Sequence, residues 1–205
     1  MVTVTRLFDD YSDAQQALRE LEQRGIAHED LSIMASNADE RHGAVAGNDD
    51  DAVETDLGRG AVGGAIVGGG AGLLAGLGML AIPGVGPIVA AGWLAATAVG
   101  AGVGAAGGAT VGGIVGALRE SGHSEEEAHI YSEGLRRGGT VLSAKVDRDR
   151  VAEVEDIFRR HHGVDADTRG RFYREAGWSS FDENAPPYTR DQIATERERY
   201  RAQDI

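Results

Sequence analysis

The chain has 205 residues, no cysteine, and 33 acidic against 20 basic side chains, a formal net charge of -13. That length suits one ordinary domain plus an insertion. The acidity argues against a nucleic-acid partner, which needs a basic face, and the missing thiols exclude disulfides, thiol catalysis and cysteine–zinc sites. Residues 2–8 (VTVTRLF) mix β-branched and aromatic residues with polar ones and predict a strand. Ser12, with Gln15 three residues on, predicts a capped helix carrying Ala14, Ala17, Leu18 and Leu21, stopped by Gly25. Residues 31–35 predict a second strand, so residues 1–36 read as a β-α-β unit.

Residues 37–57 are an acidic linker containing Asp49, Asp50, Asp51, Glu54 and Asp56. The run lacks the ligand spacing, central glycine and closing glutamate of an EF-hand loop, so it reads as a solvated charge block.

Residues 58–119 hold the most unusual stretch. Between Arg59 and Arg119 there is no charged residue or histidine, and twenty of the 31 glycines lie there. Gly60, Gly64, Gly68, Gly72 and Gly76 recur every fourth residue. After Pro83, Gly84, Gly86 and Pro87 the pattern resumes as Gly92, Ala96, Gly100, Gly104, Gly108, Gly112 and Gly116. This predicts two glycine-zipper helices, the glycines serving helix packing, joined by a turn at residues 83–87 into an antiparallel hairpin. Each glycine costs about 0.8–1 kcal/mol of helix propensity, so such helices require a packed environment. A period of four also advances about 40 degrees beyond a full turn, so the stripe winds around the helix.

Two environments suit these arms. A helix over residues 60–82 spans about 34 Å and one over residues 88–118 about 46 Å, enough to cross a bilayer. Aliphatics in the first arm contribute only about -3 to -5 kcal/mol to insertion. The leading expectation is a membrane-inserted, self-associating hairpin on a cytoplasmic domain at the cytoplasmic membrane. The alternative is a soluble homo-oligomer with the zipper in its core. No signal peptide is predicted.

The soluble pattern returns after the insert. Ser124 caps a helix with Glu125, Glu126 and Glu127 in its first turn, ended by Gly138 and Gly139. Residues 140–146 alternate as a strand, Asp147 caps a further helix with Val151, Val154, Ile157 and Phe158 inward, and residues 164–168 predict a last short strand. Without the insert, the order β-α-β then α-β-α-β predicts a ferredoxin-like α+β sandwich with an extra helix, residues 120–169 forming its second half. Residues 170–205 hold six of the eleven aromatics; a Thr189–Gln192 capping box predicts a short helix over residues 190–201, and the aromatics predict docking on the chain's own domain.

Chemistry is sparse. The spelling Gly102-Val-Gly104-Ala-Ala-Gly107 matches a dinucleotide fingerprint, but so glycine-rich a stretch generates it by chance and no strand precedes it. His161 and His162 are adjacent at a helix C-terminus, where they suit the dipole rather than a metal. Nothing marks a nucleophile elbow or triad. No enzyme activity, cofactor or metal is predicted; a ligand-sensing domain is the third alternative.

The segments Val4-Thr-Arg-Leu-Phe8, Asp13-Ala14, Leu21-Glu-Gln-Arg-Gly25-Ile26 and Asp30-Leu31-Ser32-Ile33 resemble the bacterial general stress protein (heat-induced stress protein) domain family. The resemblance covers residues 2–36 well and residues 139–147 loosely, and the tail has no counterpart in it. It implies a stress-associated role without catalytic residues.

Overall fold

The computed structural model describes residues 1–38, 78–82, 85–100 and 112–201. It is a mixed α and β structure with a five-stranded sheet in the order β1-β5-β2-β4-β3, antiparallel at every pairing. The strands are β1 (Val2–Phe8), β2 (Leu31–Ser36), β3 (Gly78–Ile82), β4 (Gly86–Gly92) and β5 (Thr140–Val146). The helices are α1 (Tyr11–Gln23), α2 (Trp93–Gly100), α3 (Gly112–Glu120), α4 (Glu125–Arg136), α5 (Val151–Arg160), α6 (Ala166–Glu175) and α7 (Arg190–Arg201).

Alternation along the strands gives the sheet two apolar faces. On one, Val4, Phe8, Leu31, Ile33, Leu142 and Ala144 meet Ala14, Ala17, Leu18 and Leu21 of α1 and Val154, Ile157 and Phe158 of α5. Phe8 and Phe158 pack edge to face with centroids 5.8 Å apart, the geometry the ring quadrupoles favour. On the other, Leu7, Met34, Ile88, Ala90 and Val141 are covered by α2, α3, α4, α6 and α7. Helices therefore flank the sheet on both sides.

Side-chain chemistry fixes the backbone at two of the predicted helix starts. Ser124 Oγ accepts from Glu127 N, and Ser124 N donates to Glu127 Oε2 at 2.8 Å, completing the capping box of α4. The reciprocal pair at Thr189 and Gln192 starts α7. The predicted box at Ser12 does not form. The helix starts at Tyr11, two residues before a Ser12 cap would start it, with extended Asp10 as N-cap, no side-chain bond, and the Asp10 carbonyl accepting from Asp13 and Ala14. Asp147 likewise makes no side-chain cap; a short 3-10 turn precedes α5. The predicted strand over residues 164–168 shrinks to one antiparallel bridge, Leu7 with Val164. Asp165 then accepts from Thr168 N at 2.8 Å and nucleates α6 in its place.

The largest correction concerns the insert. The chain does reverse between Ile82 and Gly86, yet the reversal joins two strands, not two helices: β3 and β4 form a hairpin whose β4 pairs with β2. Ile88 and Val89 are β-branched, and β2 offers β4 a ladder, so tertiary pairing overrides the glycine period. Gly86 and Pro87 open β4; Pro83 and Gly84 lie outside the described residues. Gly92 is no helix-packing glycine: it closes β4 opposite Ser32, with φ +93. Helix begins only at Trp93.

Candidate functional site

The predicted packing glycines divide in three. Gly60, Gly64, Gly68, Gly72, Gly76, Gly104 and Gly108 lie outside the described residues. Gly92 is in a strand, and Gly100, Gly112 and Gly116 are in α2 and α3. These two helices do pack on each other, but the close approach is made by Gly113. A Cβ built there would lie 2.5 Å from the Ala98 carbonyl oxygen, whereas one on Gly116 meets nothing within 4 Å. Gly116 lies on the exposed side of α3. Leu94, Ala95 and Ala98 of α2 and Ile114, Ala117 and Leu118 of α3 are all buried in the domain's own core.

The C-terminal end of the insert is fixed to the sheet by a polar row. Thr5, Ser143 and Ser32 sit side by side on β1, β5 and β2. Thr5 Oγ1 shares hydrogen bonds of 2.8 Å with both Ser143 Oγ and His123 Nε2, and the Tyr131 hydroxyl donates to the Thr5 carbonyl. His123 joins α3 to α4, with Glu127 3.8 Å from its Nδ1. A hydroxyl, an imidazole and a carboxylate in line resemble a nucleophile relay, but Thr5 and Ser143 are 1% and 0% exposed. Both hydroxyls are buried, and the row ties His123 to the sheet as a clasp.

Burial pushes His123 below the ordinary histidine value; Glu127 pulls it back up and Arg6 depresses it further. The unfolded chain therefore takes up this proton first as pH falls. Stability from the neutral ring is complete above the unfolded value, declines as pH drops through about 6.5, and levels off below the folded value. Melting of wild type between pH 7.5 and 5 is expected to show this loss, at most about 1.4 kcal/mol per pH unit from one proton. His123→Gln, which keeps an amide for Thr5 but cannot titrate, should remove that component; identical pH profiles would exclude it.

The second polar cluster lies where α4, α6 and α7 meet. It was not found from sequence. Glu133 is fully buried, and its Oε1 accepts from Arg136 Nη2 at 2.8 Å and Arg137 Nε at 2.6 Å. Arg137 Nη1 also donates to Glu196 Oε2 at 2.8 Å, which accepts from the Tyr200 hydroxyl, while Arg199 holds Glu196 Oε1 at 2.6 Å. Arg169, 0% exposed, donates to Asp9 at 2.8 Å and stacks 4.0 Å from the Tyr200 ring centre. Arg137 lies 4.3 Å over Tyr173. Burial acts to raise Glu196, but the bonds from Tyr200 and Arg137 outweigh it and leave the carboxyl below the usual glutamate range. Asp9 goes the other way: burial raises it more than Arg169 lowers it. The available signals were the Glu133–Arg137 and Glu196–Tyr200 spacings of four, which a solvated helix face would show equally.

This cluster docks the tail. Ile193, Glu196 and Tyr200 are the buried residues of α7, and Phe172, Tyr173 and Phe181 join the core beside Trp178. The aromatics therefore sit on the chain's own domain. His161 and His162 do not converge on a metal; they contact Glu20 at 2.9 Å and Asp13 at 3.1 Å, tying α5 to α1. Among the described residues no three His, Asp or Glu side chains converge as a metal site. A shallow cleft lined by Glu126, Asp165, Asp167, Thr168, Arg171 and Arg174 is charged, and several of these groups bond one another, as in the Arg174–Glu126 ion pair.

Comparisons with family models, with curated proteins and with solved structures find no match to this chain.

Proposed function

We infer that this is a non-enzymatic, stress-associated interaction protein of the bacterial general stress protein type, working as a cytoplasmic homo-oligomer. Its scaffold is a ferredoxin-like sandwich. What supports that part is connectivity: β1-α1-β2 and β5-α5 followed by the Val164 bridge give the neighbour order Val164-β1-β5-β2, the order that two interleaved β-α-β units produce.

The observation that carries the reading is the fate of the second glycine arm. Its described residues are spent on the domain itself, as β4 paired with β2 and with β3 from the end of the first arm, and as α2 and α3 packed through Gly113 against Ala98. Glycine here allows close backbone approach inside a folded core. The first arm, with Gly60, Gly64, Gly68, Gly72 and Gly76, is then the self-association element, using the same packing against another copy.

A bilayer is the second environment for that arm, on the ground that residues 60–77 carry no charge. Among the described residues no helix is long and apolar enough to cross a membrane. Cell fractionation with a carbonate wash, followed by sizing of the released protein, decides between the two. The expected result is full-length protein in the supernatant at several times the monomer mass. Retention in the pellet would replace the soluble assembly with the inserted one, and a monomeric supernatant would remove self-association.

A further inference from the structure

We propose that the segment from Trp178 to Arg201 is a releasable latch, closed over the groove between α4 and α6 and over the turn end of the insert's hairpin. Besides Phe181, buried against His129 and Arg136, the latch meets the domain through α7 and through Pro187. At its far end α7 lies in the groove, its Glu196 held by Arg137 and its Ile193 set against Gly138, where a built Cβ would lie 2.4 Å from the Ile193 side chain. Arg197 donates to the carbonyls of Asp9 and Gly138. At its near end Pro187 covers Gly86 at the start of β4, 2.8 Å from a Cβ built there. One segment thus bridges the domain and the insert.

Three observations set its attachment apart from that of the rest of the core. First, of the twelve residues of α7 three are buried, and one of these is the glutamate. An amphipathic helix anchored so sparsely relies on its charge-assisted bonds. Second, α7 reaches the domain through residues 176–189, which form no helix or strand and contain Pro186 and Pro187. Third, with α7 in place, Arg169 Nε and Nη1, the Tyr173 hydroxyl and Glu133 Oε2 find no protein hydrogen-bond partner among the described residues. Arg169 lies directly against the Tyr200 ring. Buried unpaired groups oppose the closed state, and opening the groove to water satisfies them. Opening would let these groups meet water, which suits an element that opens alone. The device does not depend on whether the first glycine arm meets lipid or another subunit.

Amide hydrogen exchange on the full-length protein at neutral pH tests this. In wild type, residues 190–201 are expected to exchange at least about 100-fold faster than β5 after correction for intrinsic rates, because β5 opens only with the sheet. Glu196→Gln removes the charge but not the shape, and should speed exchange in α7 by about tenfold or more while leaving β5 within about twofold. Ile193→Ala, acting through the apolar anchor, should give the same separation. Exchange of α7 in step with β5 in wild type would overturn the proposal. So would either variant accelerating both elements equally, or leaving α7 unchanged.

Discussion

Replacing Glu133 by alanine is expected to cost about 3–5 kcal/mol, the range for removing one partner of a buried ion pair. The reason is geometric. One carboxylate oxygen serves both Arg136 and Arg137 inside a helix whose residues from Ile130 to Arg136 are all buried. Without it Arg137 keeps Glu196, but the Arg136 side chain, 11% exposed, loses the carboxylate it pairs with. Its flanking rings, Phe181 and Tyr188 at 6.0 and 5.3 Å, cannot replace a carboxylate. Urea titration should show a lower midpoint with an unchanged slope. A loss below about 1 kcal/mol, the range of a surface pair, would mean that the arginines reach water and that the cluster is not closed.

The second large effect concerns two glycines that look alike in sequence. Gly92→Ala is expected to cost about 2–5 kcal/mol, from the left-handed backbone and from overpacking together. Gly92 has φ +93, and a Cβ would fall 2.2 Å from the Leu31 carbonyl oxygen and 2.7 Å from Ser32 Cα, both backbone atoms of the neighbouring strand. Neither can move without breaking the β2–β4 ladder. Gly116→Ala should do the opposite and stabilise by about 0.5–1 kcal/mol, since it adds helix propensity in open space. Thermal melts of the two variants check the contrast directly. Equal losses would mean that Gly116 packs against a neighbour and that the every-fourth-residue pattern has structural meaning there.

The contrast explains how far the sequence could be read. β1 and β5 were predicted with their observed bounds, because alternating apolar residues leave one register that buries them. The bounds of α7 followed from the Thr189–Gln192 box, a local bond between residues three apart. Docking of the tail followed from its aromatic density. The cluster that does the docking did not, because its members come from the bend after β1 and from α4, α6 and α7, and their pairing spans up to 160 positions. Charge spacing on a helix does not say whether the face is wet or buried.

The insert shows the same division most sharply. The sequence by itself determined that residues 60–118 hold no charge, that the chain reverses near Pro83–Pro87, and that its glycines permit close packing. It also determined the limits of most flanking elements. Only the tertiary structure decided that the reversal joins strands, that β4 adds to β2, and that Gly113 meets Ala98. The physical reason is that glycine has weak preferences. A stretch with little helix propensity and few large side chains takes the conformation its neighbours offer. Here the neighbours are the open side of β2 and the uncovered face of the sheet, and neither exists until the two halves of the domain have come together.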